Sequence, residues 1–348
     1  MKTAEFDFDL PPELIALRPA LQRDGSRLLV LNRDGSIEHK SFSAITDYLR
    51  KGDMLVLNDT KVLPVRLIGT KTTGGKADII LVREGTKGVW DVLCKGRYEG
   101  LVHFRGGVTA ELSRGHSGLS EGNNSQLIFI GPDSSDIHGI LGRCGAMPLP
   151  PYIKRMPDED DRQRYQTVYA DKPGSIAAPT AGLHFTPELL DIIASRGVLI
   201  RKITLHVGPG TFMPIKAAEI CDHEMQSEYF EVEERLPGEI QAVKAAGKRV
   251  VTVGTTATRA LEGLLGGNYS PDESRDKGHF RGHTGIFICP GHKFIAADGL
   301  LTNFHLPRST PLMLASAFCG LEKLMSAYRA AIARGYRFFS YGDAMLIL

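Results

Sequence analysis

Hydrophobic and polar positions along this chain follow two different periods, and the change of period divides it. Residues 1–64 mix short helical and strand patterns. A short helix is predicted near Pro11–Leu17, then a hairpin in SRLLVLNRDGSIEHKSF, whose two β-like runs flank the turn dipeptide Asp34-Gly35. A helix is expected around Ser43–Arg50, ending near Gly52. Met54–Leu57 is an unbroken apolar run, the mark of a buried strand, and it leads directly into the polar Asn58-Asp59-Thr60. From about Val65 to Met147 the texture becomes short β-like runs: VRLIGTK, ADIILVRE, VWDVLCKG and QLIFIG. Sixteen glycines and one proline fall in 65–147, which suits hairpins of a small antiparallel barrel inserted into the first domain. Its middle, HSGLSEGNNS, reads as a loop.

Past residue 147 the helical period returns. Pro148–Ser175 is a charged, proline-containing connection back to the main domain. Ile176–Leu190 reads IAAPTAGLHFTPELL: a strand end, a Pro-Thr-Ala-Gly turn, and Thr186-Pro187-Glu188 as a helix start with Gly197 as its stop. A strand over Val198–Val207 ends in Gly208-Pro209-Gly210-Thr211. A second strand–loop–helix unit runs from RVVTV through Gly254-Thr255-Thr256 to Leu264, stopped at Gly266-Gly267. Residues 266–283 are polar and Gly-rich and predict no regular element. LLTNFHLP reads as a strand, Thr310-Pro311 starts an apolar helix, and Leu321, Leu324, Met325, Tyr328 and Ile332 share one face of a second. RFFSYGDAMLIL closes the chain as a strand interrupted at Ser340–Asp343. The expected architecture is mixed α/β: a large α/β barrel-like main domain in two parts, 1–64 and 148–348, with 65–147 as an inserted small antiparallel β-barrel domain.

Composition narrows the class. At 348 residues, 42% hydrophobic and 24% charged, the chain is that of a globular protein large enough for two domains. No apolar run approaches a membrane span, and the acidic N-terminus MKTAEFDFDLPPEL has no signal-peptide core, which points to the cytoplasm. Five scattered cysteines without a C-x-x-C argue against a disulfide framework. His279, His283, Cys289 and His292 are potential zinc ligands, but their spacing fits no common zinc motif and is read as coincidence. The net charge of +2 decides nothing about nucleic acid. Between Lys61 and Gly115, however, ten Lys/Arg stand against five Asp/Glu. That surplus, including Lys71, Lys76, Arg83 and Lys87, is suited to phosphates, with scattered surface lysines as the ordinary alternative.

The loop carrying His184 joins a strand to a helix N-terminus, where unpaired N–H groups and the helix dipole suit an anion. On spacing alone, an ordinary strand-to-helix connection with a packed histidine is the better account of that loop. Longer motifs add to it. IAAPTAGLHFTPELL, with RYQTVYA at Arg164–Ala170, ITLHVGPGTFMPI at Ile203–Ile215, GDMLVLNDTKVLPVRL at 52–67, VTVGTTATRALE at 251–262, LLTNFHLPRST at 300–310 and SYGDAMLIL at 340–348, resembles the S-adenosylmethionine:tRNA ribosyltransferase-isomerase family of bacterial queuosine biosynthesis. The resemblance covers nearly the whole chain and is weakest between about residues 84 and 145.

That resemblance implies transfer of the ribosyl part of S-adenosylmethionine, as co-substrate and without a metal, to a 7-aminomethyl-7-deazaguanine at the tRNA wobble position. The ribose isomerises to an epoxycyclopentanediol, giving epoxyqueuosine-tRNA, and adenine and methionine leave. It further implies a monomer, with precursor-bearing tRNA as partner and no membrane. Such chemistry needs a base at the carbon beside the sulfonium, an acceptor for the amine's proton, a donor to adenine, and N–H groups for the methionine carboxylate. Histidine suits the proton steps. Four histidines lie in family-like motifs: His184, His206, His223 and His305. His184 is the first candidate for proton transfer, with His223, Glu228 and Asp59 beside it as catalytic candidates. Thr180, Gly182, Thr256, Arg259 and His206 are candidates for binding the co-substrate. The family typically reads His-x-Met-His-x-Glu where this chain has His223-Glu224-Met225-Gln226-Ser227-Glu228; glutamine at 226 hydrogen-bonds but shuttles no proton at neutral pH. Pro311 also departs from the usual leucine-rich helix start, harmlessly in a first turn. Two other readings compete. A non-catalytic RNA-binding module leaves the polar strand ends unexplained, and a methyltransferase needs a Gly-rich loop after the first strand, absent near Leu28–Val30 or Met54–Leu57.

Overall fold

The computed structural model describes residues 1–86, 88–94, 96, 98–114, 125–132, 134–212, 215–273 and 278–348. It has two compact units, one of Met1–Lys61, Pro150–Arg155 and Gln166–Leu348, the other of Val62–Leu149 and Met156–Tyr165.

The larger unit is built on a ten-stranded mixed sheet. Its centre is Met54–Asn58, buried along its whole length as the apolar run predicts. Leu199–Leu205 lies parallel on one side of it and Val250–Val253 parallel on the other, followed by the parallel Gly299–Asn303. Ala344–Ile347 then runs antiparallel, and the hairpin Arg27–Leu31/Ile37–Ser41 completes that wing. The opposite wing is antiparallel: Glu228–Glu233 beside Leu199–Leu205, then His279–Thr284, then Ser270–Pro271.

Strand pleating sorts the core onto two faces. Leu55, Leu57, Val251, Val253 and Leu301 pack with Phe185, Leu189 and Ile193 of the helix Pro187–Ser195 and its approach. Met54, Val56 and Val250 turn the other way, against the helices Leu236–Ala245 and Gly254–Leu265. Leu300, Met345 and Ile347 continue that face under the helices Thr310–Cys319 and Leu321–Ala333. The one-residue alternation is the period-2 rule of a sheet covered on both sides.

The smaller unit contains a closed six-stranded antiparallel barrel. Arg66–Lys71, Lys76–Glu84, Val89–Cys94, Ser125–Ile130, Thr109–Arg114 and Gly100–Phe104 pair in that order, and Gly100–Phe104 returns to Arg66–Lys71. Leu67, Ile79, Leu81, Val92, Val102, Leu112 and Leu127 are the buried members of these alternating runs. The mixed α/β class with an antiparallel barrel in the second unit is thus the architecture of the chain.

Several local expectations need correction. The predicted helices at Pro11–Leu17 and Ser43–Arg50 are 3-10 turns, Pro12–Leu14 and Phe42–Asp47. In the second, Ile45 and Thr46 are β-branched, which lowers the helical preference of the stretch. The polar stretch 266–283 leads into a true strand, because His279–Thr284 finds a ladder partner in Glu228–Glu233 that no local pattern shows. The charged segment Met156–Tyr165, expected as a return connection, belongs to the smaller unit. There the helix Glu159–Arg164 is capped by Asp158, and Arg162 donates to the Gly145 carbonyl at 2.8 Å. Residues 116–124 of HSGLSEGNNS, and Lys87, lie outside the described residues. Of the other basic residues singled out there, Lys71 lies over the Tyr98 ring at 4.9 Å, Arg83 pairs with Asp91 at 2.9 Å, and Lys76 points to the Met156 sulfur at 3.5 Å.

Candidate active site

The parallel strands of the larger unit all end on one edge, and the polar residues at those ends meet there, as ligand sites do in open α/β sheets. Asn58, at the end of the central strand, is fully buried. Its Nδ2 donates to the Leu205 carbonyl at 3.0 Å and to Thr256 Oγ1 at 3.1 Å. Its Oδ1 accepts from Thr60 N at 3.1 Å and Leu205 N at 3.0 Å. One amide therefore joins three strand ends and orients Thr256.

A cleft of about 660 Å³, its mouth included, opens on this edge. Ala178, Pro179 and Thr180 form one wall, Gly254, Thr255 and Thr256 another, and Thr302, Asn303 and His305 the third. Ser309 and Pro311 from the next helix start, and Ser340 and Tyr152, complete it. Two helices aim N-termini at this space. Gly254–Leu265 follows Val253, which has no side-chain acceptor to cap it, and Thr310–Cys319 follows Ser309, whose hydroxyl turns away to the Leu306 carbonyl at 2.7 Å. First-turn N–H groups are thereby left for something in the cleft. Gly254 has φ of 86°, a conformation open to glycine, so the strand turns into the helix within one residue. A smaller apolar cavity, lined by Met225, Phe287 and Leu314, shares Thr255, Thr256 and Pro311 with the cleft.

Of the expected residues, Thr180 and Thr256 line the cleft. Gly182 and His184 lie behind its wall. Gly182 is required by close approach, since a Cβ there would stand 2.1 Å from the Tyr169 hydroxyl and 2.8 Å from Thr167 Cγ2. His184 is buried, its Nδ1 at 2.7 Å from Ser26 Oγ and its ring 4.9 Å from that of Phe42. Burial drives its pKa down to about 4, against the opposing pull of the Asp343 charge and of the neighbouring Asn303 side chain. It is therefore neutral at pH 7. Asp59, also buried, accepts from Thr204 Oγ1 at 2.7 Å, and burial raises its pKa. His206 pairs with Thr60 Oγ1 at 2.8 Å, and burial lowers its pKa. Glu228 and Arg259 form a buried ion pair. Glu228 also accepts from Gly208 N at 2.8 Å, and Arg259 donates to the Ile286 carbonyl at 3.2 Å, so the pair braces two loops. His223 packs edge-on to Phe287, ring centroids 5.0 Å apart.

Two further cleft residues, Asn303 and Tyr152, were not among the expected site residues, and a third, His305, was named only as a family-like histidine without a role. Asn303 lines the cleft with an Oδ1 that has no hydrogen-bond acceptor geometry satisfied, while its Nδ2 donates to the Phe339 carbonyl at 2.9 Å. His305 sits 2.6 Å from Thr302 Oγ1, and burial drives its pKa down to about 3. Tyr152 shares a short hydrogen bond with Ser340, and its pKa is pushed up to about 12 by burial. The signals were present: LLTNFH and RFFSYGDAM are apolar strands broken by polar residues just where the strands end. Among the described residues no group of three or more His, Cys, Asp or Glu converges as a metal site. His279, His283 and His292 each approach a different carboxylate, on Glu231, Asp272 and Glu262.

A cleft at the C-terminal ends of parallel strands is where α/β folds hold their ligands. The comparisons make it particular. A family model described as a queuosine biosynthesis protein matches residues 3–347. The S-adenosylmethionine:tRNA ribosyltransferase-isomerase of Thermodesulfovibrio yellowstonii is 52% identical over 100% of both chains, and that of Halothermothrix orenii 49% identical over 100% of both. A crystal structure of S-adenosylmethionine tRNA ribosyltransferase from Thermotoga maritima is 34% identical, covering 99% of this chain and 100% of that one, with a TM-score of 0.55. The chain belongs to the S-adenosylmethionine:tRNA ribosyltransferase-isomerase family of queuosine biosynthesis. No helix among the described residues is long and apolar enough to cross a membrane.

Two outcomes follow from the buried groups. Gly182→Ala should lower the melting temperature by forcing Tyr169 aside, and Tyr169→Phe in the same chain should recover part of the loss; equal melting of the single and double variants would dismiss the clash. For His184, the unfolded chain binds a proton near pH 6.5 and the folded chain only near 4. Its contribution is present above about pH 6.5 and is lost, by about 3 kcal/mol, as the pH falls to 4. Thermal melts of wild type and His184→Asn across pH 7 to 4 should show a shallower decline for the variant.

Proposed function

We propose that the cleft binds S-adenosylmethionine beside the 7-aminomethyl-7-deazaguanine of a tRNA wobble position. The ribosyl group passes to the amine and isomerises to the epoxycyclopentanediol of epoxyqueuosine-tRNA, while adenine and methionine leave. The observation that carries this reading is the convergence of two helix N-termini without side-chain caps, at Gly254 and Thr310, on one cleft. Their N–H groups suit the methionine carboxylate, and the Thr180 and Thr256 hydroxyls add donors at the same wall. Asn303, its Nδ2 fixed on the Phe339 carbonyl, shapes the third wall. His305, held neutral, suits an orienting hydrogen bond rather than a charge. The sulfonium supplies the activation in this scheme.

Asp59 and His206 stand at neighbouring strand ends, and we assign them orienting and proton-accepting roles toward the incoming base. Asp59 is favoured by its raised pKa, which keeps a carboxyl closer to the range useful for general catalysis. The Glu228–Arg259 pair holds Gly208 and Ile286 in place around the second cavity. We assign His223 to the wall of that cavity through Phe287, and Gly182 to the backbone approach behind Thr180. The enzyme is taken to act as a cytoplasmic monomer.

The test of the reaction is mass spectrometry of precursor-bearing tRNA incubated with the protein and S-adenosylmethionine. Free adenine and methionine should appear together with an epoxyqueuosine mass on the tRNA; S-adenosylhomocysteine instead would mean methyl transfer and end the proposal. The role of His184 is separable in the same assay. With its Nδ1 bound to Ser26, His184→Asn is expected to lower kcat and melting temperature together. A fall in kcat of about 10²–10⁴ at wild-type melting temperature would instead assign it the proton transfer.

A further inference from the structure

His184 closes the short turn Thr180–His184, whose first residue lines the cleft. Asn303 ends the strand Gly299–Asn303 and lines the cleft from another wall. The two side chains are neighbours, 4% and 1% exposed. Ser26 Oγ takes up the Nδ1 side of the imidazole at 2.7 Å, so Nε2 is the ring nitrogen left to face Asn303. The amide turns its Nδ2 to the Phe339 carbonyl at 2.9 Å, which leaves Oδ1 for the ring. Burial lowers the His184 pKa, and Asn303 opposes it by favouring the protonated ring, as an acceptor atom does and a donor does not. Nε2 and Oδ1 are both buried, and among the described residues neither has a partner at full hydrogen-bond geometry. Buried polar atoms are nearly always paired, and these two are complementary and adjoining.

Donor directions follow from the one member that has no choice. A carbonyl only accepts, so Phe339 fixes the Asn303 amide with Nδ2 toward it. Oδ1 then needs a donor, which puts the imidazole proton on Nε2. Nδ1 of the neutral ring becomes an acceptor, and the Ser26 hydroxyl donates to it. The far end of this chain of bonds holds strained backbone. Phe339 has φ of 71°, rare for an aromatic residue, and its carbonyl also accepts from Gly342 N at 2.9 Å. The next residue, Ser340, lines the cleft and pairs with Tyr152. Such a conformation lasts only where its surroundings over-determine it, and the Asn303 amide is one of those holds.

We propose that His184 is a positioning residue: its Nε2–H, set by Ser26, fixes the Asn303 amide and through it the Phe339–Ser340 turn of the cleft wall. It lies behind that wall, touches no substrate atom and moves no proton in the reaction. The proposal rests on the reading that this cleft is where the ribosyl transfer takes place, and it gives that reaction a Ser26–His184–Asn303 support.

The experiment has two arms. In protein carrying isotope-labelled histidine, two-bond proton–nitrogen correlation at neutral pH reads which ring nitrogen of His184 bears the proton. The ring is identified by its loss in His184→Gln and by its shift in Ser26→Ala. Nε2–H is expected, and a proton on Nδ1 would overturn the proposal. In the second arm kcat is measured well below every melting temperature. His184→Asn, which reaches Ser26 but places no donor at the Nε2 position, should lose roughly 10- to 100-fold, the cost of a misplaced cleft wall. His184→Gln, whose amide N–H stands where Nε2–H stood, should recover about tenfold over His184→Asn. Wild-type kcat in His184→Asn would reduce the residue to packing, and a His184→Gln as inactive as His184→Asn would return it to proton transfer; either result overturns the proposal. Should His184→Gln fail to fold, the tautomer of the wild-type ring, identified through Ser26→Ala, decides alone. A wild-type protein that releases no adenine with precursor-bearing tRNA would refute the proposed function itself, whereas an active wild type with the wrong tautomer refutes the positioning role alone.

Discussion

The side chain of Asn58 is the constraint on which the cleft depends. A primary amide has two donor hydrogens and two acceptor lone pairs, and all four are used within the buried sheet edge. Through them the central strand sets the position of Leu205 on one neighbour and of Thr256 at the start of a helix on the other. A buried polar group left unpaired costs about 1–3 kcal/mol, so no apolar residue at 58 leaves these partners satisfied. The turn at Gly254, the cleft wall at Thr255 and Thr256, and His206 are all within a residue or two of those bonds.

The two ends of the parallel strands solve the problem of buried polarity differently. At the N-terminal end charges are paired: Asp53 accepts from Arg249 Nη2 at 2.7 Å and from two backbone N–H groups, which together hold its pKa low despite burial. Lys244 and Asp298 pair at 2.9 Å, and Asp298 also accepts from Val250 N at 3.0 Å. At the C-terminal end burial wins, driving His184 and His305 toward neutrality and Asp59 toward its protonated form. The first end is closed by electrostatics and serves stability. The second presents neutral histidines together with the hydroxyl and amide groups of the cleft.

Glu262 shows how a buried carboxylate is used away from the cleft. It sits on the helix Gly254–Leu265 and accepts from the backbone N–H groups of Ile295, Ala296 and Ala297 at 2.9, 2.9 and 3.1 Å, with His292 at 3.3 Å. His292 is thereby engaged by Glu262, while His279 and His283 approach Glu231 and Asp272. The Glu228–Arg259 pair is comparable, two expected site residues whose charges are spent on each other and on loop backbone.

The class of fold, the central strand, the hairpin at Asp34-Gly35 and the helix start at Thr186-Pro187 were legible in the sequence because each rests on local chemistry. Apolar runs bury, Asp-Gly turns, and Thr-Pro-Glu caps; Thr186 Oγ1 does accept from Leu189 N, at 3.2 Å. So too were the polar strand ends Asn58-Asp59-Thr60 and Gly254-Thr255-Thr256, and the long motifs that mark the family. What the sequence could not rank was its histidines. His184 looks like an exposed loop residue and is enclosed by Ser26 and Phe42, while His305 looks like part of a strand and lines the cleft. Nor could it show that His279–Thr284 is a strand, or that Tyr229 stands between His206 and His283. Exposure, protonation and strand pairing depend on partners far away in sequence. Those partners come together only when the sheet is assembled, so tertiary structure alone decided which polar residues face the cleft and which hold its walls.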